Sequence, residues 1–485
     1  MNVSKHIYSL LFLITFPIIV FSQNIQEDDS LSYYNFIAKK ELDSANYKKA
    51  VTISDKAIKE GYVSNKILKT RAIANYKLRQ TKKAYSDIEE VMMSDENLMD
   101  ISPLVSLYYL NIESSSNAIN SLVTSYNEDN REFFLSLELI NERDYKCIIE
   151  TIDNTMTGED YPKSLYAIKS MINYTFKNYN DSYTDITTAL DNDQTNGMLY
   201  YLMGELKLRR KEYLTALASF NSAILNNETS TTTYKQRAIA KGFINDFKGA
   251  IEDYDIILKR EPQNAEIFYL RAIAKNYLAD YNGALSDLNR AISISDTFSS
   301  AYNYRGIVYI NLGDYASSLL DFYKTLTYNP NHPFTHNNIG IALIKTGQST
   351  KAEEFFTKAI QLDKKHADAY YNRGKLYLEK KNILKAKQDL LTTIELNYQN
   401  PDAHYLLALI YIDEKAKNPR LKIEDKICSE LEIASGMQHP KATELFNKTC
   451  QKIEPEPQEE VEEPLPEENP EENPEETPEE PFKIN

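Results

Sequence analysis

The residue types that build most enzyme sites are scarce in this chain of 485 residues. It contains 3 cysteines, 6 histidines and 13 glycines, and it has no tryptophan. No glycine-rich loop follows a predicted strand, which excludes the common phosphate-binding loops. The cysteine spacing matches no zinc motif, and His332 and His336 are separated by Pro333, which makes a shared helix face and a metal site unfavourable. We expect no enzymatic activity, no metal and no cofactor, and a hydrolase site within residues 414–425 is a weaker alternative.

Positive charge is also lacking over most of the chain. The formal net charge is -16, and the fourteen Glu and one Lys after Lys452 account for -13 of it. The remaining residues are close to neutral, whereas a nucleic-acid-binding domain needs a basic patch or stripe. We therefore expect no nucleic acid as a partner. The Pro/Glu-rich segment 453–485 is predicted to be disordered, either as a solvated spacer or as a segment that binds cations or a basic partner.

Long apolar runs are lacking after the first 22 residues. Lys5 and His6 precede an apolar run from Ile7 to Phe21, and Ser22 ends a plausible cleavage site. This pattern predicts a secretory signal over residues 1–22 and a linker over 23–30. No later stretch is long and apolar enough to cross a bilayer. We predict an exported protein in the periplasm, at the outer membrane or outside the cell, with an uncleaved membrane anchor as the alternative.

What the sequence does contain is a motif that returns every 34 residues. Position 8 of each unit is Ala, Ser or Gly, position 20 is usually Ala, and apolar residues at helical spacing flank a break near position 15. This pattern predicts an all-α array of helix pairs over residues 31–452, with an insert at 414–425 and a polar cap at 439–452. The units begin at residues 31, 65, 99, 129, 163, 197, 231, 265, 299, 333, 367 and 401.

The pattern resembles the tetratricopeptide repeat, most specifically over residues 163–400. The large aromatic residue that this family carries at position 4 is present in seven units: Tyr34, Tyr166, Tyr200, Tyr234, Phe268, Tyr302 and Tyr370. The resemblance implies an α-solenoid, a right-handed superhelix of about twelve helix-turn-helix units with a C-terminal capping helix. It also implies that the first helices line a concave groove and that the protein is a non-catalytic scaffold for another protein.

Family geometry places the groove at positions that are rich in Tyr and Asn. Such residues offer large contact area and adaptable hydrogen bonds to a protein segment, and a glycan or other solute is the alternative ligand. The carboxylate clamp of some family members is not expected, because Asp368, Asp402 and Leu406 occupy positions where Lys or Arg is needed. The predicted groove residues are Tyr201, Lys235, Tyr269, Asn303, Asn337, Asn338, Tyr371, Asn372 and Tyr405.

Positions 7 and 23 vary together between units. Six units have a basic residue at position 7 and Asp at position 23, whereas the other intact units have neutral residues at both. Both positions lie equally far from the turn, so we predict ion pairs that bridge the two helices of a unit. A ladder of arginines that binds an anionic ligand is the alternative. The predicted pairs are Arg71–Asp87, Lys169–Asp185, Arg237–Asp253, Arg271–Asp287, Arg305–Asp321 and Arg373–Asp389.

Two cysteines flank the last predicted turn. Cys428 lies eight residues before Gly436, and Cys450 lies ten residues after Pro440. An antiparallel hairpin brings these two segments side by side, so we predict a disulfide between them. Cys147 has no evident mate.

Overall fold

The computed structural model describes residues 27–94, 98–158 and 160–450. Within these residues all regular structure is helical and no strand is present. The described residues divide into two compact bodies. The N-terminal body contains residues 27–210 and 218–228, and the C-terminal body contains 211–217 and 229–450. The predicted signal and the acidic segment 453–485 lie outside the described residues.

Helices of the N-terminal body follow one another with short connections, and α12 contributes residues to both bodies. They are α1 (Glu27–Asp43), α2 (Tyr47–Lys59), α3 (Asn65–Lys77), α4 (Thr81–Met92), α5 (Ser102–Asn111), α6 (Ser115–Glu128), α7 (Asn130–Ser136), α8 (Glu142–Met156), α9 (Ser164–Thr175), α10 (Tyr179–Asn192), α11 (Gly197–Arg209) and α12 (Tyr213–Leu225).

Helices of the C-terminal body keep the same alternation of first and second helices. They are α13 (Thr231–Phe243), α14 (Phe247–Arg260), α15 (Ala265–Tyr277), α16 (Tyr281–Ile294), α17 (Ser299–Asn311), α18 (Tyr315–Tyr328), α19 (Pro333–Lys345), α20 (Ser349–Leu362), α21 (Ala367–Glu379), α22 (Ile383–Leu396), α23 (Pro401–Lys417), α24 (Glu424–Gly436) and α25 (Pro440–Thr449). Each first helix packs against its own second helix, and from α15 onward also against the second helix of the preceding unit. This arrangement is an α-solenoid within the body.

A left-handed residue at position 15 makes the turn between the two helices of most units. Glycine fills this position only at Gly313 and Gly347. Eight other units place a non-glycine residue there, at a conformational cost of roughly 1–2 kcal/mol each. These residues are Ala45, Arg79, Glu113, Lys177, Lys211, Asn245, Ala279 and Lys381.

Small residues at position 8 let the paired helices approach closely. Gly204, Gly306 and Gly340 each lie against the ring of a phenylalanine at position 24 of the same unit. At Gly306 an added Cβ would lie 2.5 Å from Cε1 of Phe322, well inside van der Waals contact. The glycine and the phenylalanine therefore fill one space together in each of these three units.

We expect Gly306→Ala to lower the free energy of unfolding by about 1–3 kcal/mol, because it overpacks the Phe322 ring. Gly374→Ala is the matched control, because its Cβ would meet Leu390 Cγ at 3.2 Å, a milder contact than at Gly306. Alanine is also the better helix former by roughly 0.8–1 kcal/mol, which offsets this contact. Denaturation of the full chain measures both. Recovery of stability in Gly306→Ala/Phe322→Leu would verify the cause, and equal effects at Gly306 and Gly374 would contradict it.

Three boundaries differ from the sequence prediction. Helix α1 begins at Glu27, within the predicted linker 23–30, and α23 continues to Lys417, so only residues 418–423 of the predicted insert 414–425 connect it to α24. The unit that begins at residue 129 has a first helix of only 7 residues, α7, followed by a 3-10 turn over Leu137–Leu139. This is the unit that follows the shortened 30-residue step, where only Asp129 separates α6 from α7.

Candidate partner-binding surface

Seven of the predicted groove residues are partly exposed on consecutive first helices of the C-terminal body. We call this set the first-helix row; it consists of Lys235, Tyr269, Asn303, Asn338, Tyr371, Asn372 and Tyr405. They lie on α13, α15, α17, α19, α21 and α23. The row is polar and aromatic along its whole length.

Three row residues contact the unit or helix that follows their own. Lys235 Nζ lies 3.3 Å from Glu266 of the next first helix, and Asn303 accepts a hydrogen bond of 2.8 Å from Thr335. At the C-terminal end the ring of Tyr405 stacks on His439 with 4.6 Å between centroids. Each contact leaves part of the side chain exposed, so the row retains hydrogen-bonding groups and ring faces for a ligand.

Two predicted groove residues are buried, and the prediction is wrong for them. Tyr201 is 8% exposed and lies 6.1 Å from the Phe220 ring, and its burial raises the pKa of its hydroxyl above the usual value. Asn337 is 5% exposed and accepts a hydrogen bond of 3.0 Å from Asn372. Repeat position alone predicted their exposure, but the packing of adjacent helices covers them.

The structure brings together five of the six predicted charge pairs, one in the N-terminal body and four in the C-terminal body. Each arginine of these pairs donates from Nε and Nη2 to the two oxygens of its aspartate. In the Arg271–Asp287 pair these distances are 2.8 and 2.5 Å. The aspartates are buried, since Asp253 is 1% and Asp287 is 4% exposed. Equivalent two-bond pairs join Arg71–Asp87, Arg237–Asp253, Arg305–Asp321 and Arg373–Asp389.

The prediction is wrong for the sixth pair, Lys169–Asp185. Lys169 Nζ lies 2.7 Å from Asp153 of the preceding unit, while Asp185 accepts a hydrogen bond of 3.0 Å from Asn173. An arginine fork can hold two partners at once, whereas a lysine offers a single nitrogen. Burial raises the pKa of the Asp185 carboxyl.

Four of the charge clusters have a third member that the sequence analysis missed. The arginine Nη1 reaches position 25 of the preceding unit, for example from Arg271 to Asp255 at 2.5 Å and from Arg305 to Asn289 at 2.6 Å. The same contact joins Arg71 to Asp55 and Arg373 to Thr357. One guanidinium therefore links three helices of two units. The signal was available, because position 25 is polar in the unit before each basic position 7.

The geometry of these arginines favours structure over ligand binding. The guanidinium of Arg271 lies 5.4 Å from the Phe268 ring centroid, and its three nitrogens already donate to protein oxygens. The same stacking places Arg237, Arg305 and Arg373 over the position-4 aromatic of their own unit. An anionic ligand would have to displace these contacts.

The last two helices are joined covalently. Cys428 of α24 and Cys450 form a disulfide with 5.7 Å between their Cα atoms. His439 caps α25 by accepting from the Ala442 N–H at 3.0 Å, and its other ring nitrogen lies 3.1 Å from Asp402 of α23. Cys147 is exposed as a free thiol. The cap is therefore fixed to both preceding helices.

The histidines have structural contacts. His332 caps α19 by accepting from the Thr335 N–H, and His336 Nε2 lies 3.0 Å from the carbonyl of Pro330. Over the described ranges, no group of three His, Cys, Asp or Glu residues is arranged to hold a metal ion. In the same ranges no helix combines the length and apolar character that crossing a bilayer requires.

Residues 343–410 match the family model of the tetratricopeptide repeat. The comparison with curated proteins finds no match. A solved tetratricopeptide repeat protein from Parabacteroides merdae is 19% identical, with 51% of this chain and 98% of that chain covered and a TM-score of 0.47. Yeast Tom70 is 14% identical, with 88% and 97% covered and a TM-score of 0.46. YrrB, which is described as a TPR protein with an unusual peptide-binding site, is 22% identical. The match covers 38% of this chain and 95% of that chain, with a TM-score of 0.31.

Proposed function

We propose that this protein, whose residues 343–410 match the tetratricopeptide repeat family model, is a non-catalytic scaffold. It binds a segment of another protein along the first-helix row. The observation that carries this proposal is the set of half-exposed Tyr, Asn and Lys side chains on six consecutive first helices. Tyr offers a large rigid contact surface at low entropic cost, and Asn offers both donors and acceptors to a peptide backbone.

We further propose that the scaffold acts after export, in the cell envelope or at the surface. The disulfide Cys428–Cys450 supports this location, because disulfides persist in oxidising compartments and are rare in the cytosol. Fractionation of cells and N-terminal sequencing of the protein test it. Recovery in the envelope or medium with Gln23 as the first residue is expected, and a cytosolic protein that retains residues 1–22 would contradict it.

We expect Tyr269→Ala/Tyr371→Ala/Tyr405→Ala to weaken partner binding by about 100-fold. Buried tyrosines at interface centres typically contribute more than 1 kcal/mol each, and three such losses multiply. The partner is first captured with a photo-crosslinking residue at position 303 and identified by mass spectrometry. Binding of the identified partner is then measured with purified proteins.

The matched control removes three tyrosines that are exposed away from the row, in Tyr323→Ala/Tyr328→Ala/Tyr398→Ala, where the side chains are 45%, 36% and 56% exposed. We expect this variant to bind as the wild type does. Equal loss in both variants, or capture from position 320 on α18 as efficient as from position 303, would reject the row as the binding surface. A carbohydrate as the captured species would support the glycan alternative.

A further inference from the structure

Two histidines occupy position 4 of their units, where seven other units carry a large aromatic residue. They are His336 on α19 and His404 on α23. Both are buried, with 7% and 1% exposed. Nε2 of each ring faces the carbonyl oxygen of position 32 of the preceding unit, at 3.0 Å from Pro330 and 2.9 Å from Tyr398. The two rings therefore share one geometry on this side and can be compared directly.

The surroundings of Nδ1 distinguish the two rings. In His404 this nitrogen lies 2.5 Å from Oε2 of Glu430 on α24. In His336 it is buried and has no hydrogen-bond partner among the described residues. Both nitrogens of His404 therefore face oxygen acceptors, and only a ring with a proton on each nitrogen can donate to both. The geometry makes His404 an imidazolium, whereas His336 needs a proton on Nε2 alone.

Glu430 supplies the charge that favours a protonated His404. Burial lowers the pKa of this ring, but the hydrogen bonds to Glu430 and to the Tyr398 carbonyl, together with the Glu430 charge, outweigh burial and raise the pKa above its usual value. Helix α22 also packs against α23, but within the described residues it adds no charged group to this shift. Burial and the Glu430 charge also raise the pKa of Tyr411. For His336 burial dominates and lowers the pKa.

Glu430 belongs to the element that completes the first-helix row. Helices α24 and α25, which we call the last hairpin, are held together by their packing and by the Cys428–Cys450 disulfide. The ring of Tyr405 in the row stacks on His439 of this hairpin. The His404–Glu430 contact therefore joins to α23 the same element that positions the C-terminal end of the row.

We propose that the His404–Glu430 pair is a pH switch that holds the last hairpin on α23 and thereby fixes Tyr405 at the end of the first-helix row. Loss of one ring proton leaves a nitrogen lone pair against either the Glu430 carboxylate or the Tyr398 carbonyl, depending on the tautomer. The consequence of the switch for partner binding rests on the proposed function, whereas the contact itself does not.

The sign of the pH dependence follows from the raised pKa of His404. A histidine whose pKa is raised on folding contributes stability that is fully present below its ordinary value of about 6.5. This stability is lost as the pH rises through the pKa of the folded protein. The last hairpin is therefore held firmly at mildly acidic pH and is released toward alkaline pH.

NMR titration of isotope-labelled histidine in the full chain measures ring protonation directly. We expect the His404 signal to titrate above the ordinary value of about 6.5 and the His336 signal below it. Hydrogen exchange, corrected for the intrinsic rate, then compares about pH 6 with about pH 9. Protection of α24 should fall about tenfold, the factor for one pKa unit, and protection of α20 should stay constant. A His404 titration at or below about 6.5, or an equal fall in α20, would overturn the proposal.

Glu430→Gln separates His404 from His439, the second imidazole that contacts this region. The new amide donates to Nδ1 of a neutral His404 ring, so the contact no longer needs a charged ring. We expect protection of α24 to become independent of pH, whereas His336→Phe, the matched control at the same repeat position, should keep the fall of about tenfold. A pH dependence that persists in Glu430→Gln would assign the effect to His439 instead and refute the switch. Neither measurement requires a partner, so failure of the switch and failure of binding at the row are separate results.

Discussion

Asp287→Ala is expected to lower the free energy of unfolding by about 3–5 kcal/mol, the range for breaking a buried ion pair. Asp287 is 4% exposed and accepts from Arg271 at 2.8 and 2.5 Å and from Lys275 at 2.7 Å. Its removal takes the carboxylate away from Lys275 and leaves Arg271 with only the partly exposed Asp255. Hydrogen exchange of α15 and α16 in the full chain measures the effect, because repeat arrays unfold in more than two states.

The same cluster contains its own control. Asp255 lies 2.5 Å from Arg271, but its side chain is 46% exposed. Water therefore solvates it, and Asp255→Ala should cost no more than about 1 kcal/mol. Equal losses at Asp255 and Asp287 would show that burial does not determine the effect.

A double replacement separates a structural role from ligand binding. Arg271→Met/Asp287→Leu removes both charges, and we expect it to recover most of the stability lost in Asp287→Ala, since a buried pair often stabilises no more than apolar residues of similar size. Unchanged stability in Asp287→Ala, together with loss of an anionic ligand in the double variant, would favour the arginine ladder instead.

Cys428→Ser/Cys450→Ser is expected to destabilise the C-terminal cap by about 3 kcal/mol, the value for a disulfide that closes a loop of this size. The bond spans 22 residues and includes the whole turn between α24 and α25. Without it, α25 is held by its packing on α24 and by the His439–Asp402 contact. Hydrogen exchange and limited proteolysis should show the loss in α25 before α23.

Cys147→Ser is the matched control for this loss, because Cys147 is an exposed free thiol. It should leave the exchange of α25 unchanged, and mild reduction of the wild type should reproduce the double serine variant. Identical protection of α25 with and without the bond would contradict a stabilising role for the disulfide.

Geometry within one repeat could be predicted from the sequence because it is fixed over short covalent distances. Positions 7 and 23 are 16 residues apart across a turn, so two antiparallel helices must place them side by side. Comparison of the units then gave the Arg–Asp pairs. The Cys428–Cys450 bond followed from the same symmetry about a turn. The prediction of a Lys169–Asp185 pair was wrong because it treated lysine and arginine as equivalent.

Geometry between repeats was harder to predict from the sequence. The partners of Arg271 and Arg305 at position 25 belong to the preceding unit, and their contact depends on how one pair of helices packs on the next. The same packing decides which position-5 side chains are exposed. It covers Tyr201 and Asn337, while Tyr269 and Tyr405 remain partly accessible.

The sequence by itself determined the period of 34, the helix pairs, the small residues at position 8 and the Arg–Asp pairs within five units. These features depend on residues that one turn brings together, so local spacing specifies them. Only the tertiary structure decided the short helix α7, the exposure of the first-helix row and the position-25 partners of the arginines. Each of these depends on contacts between helices that belong to different units, and no local periodicity records how such helices pack.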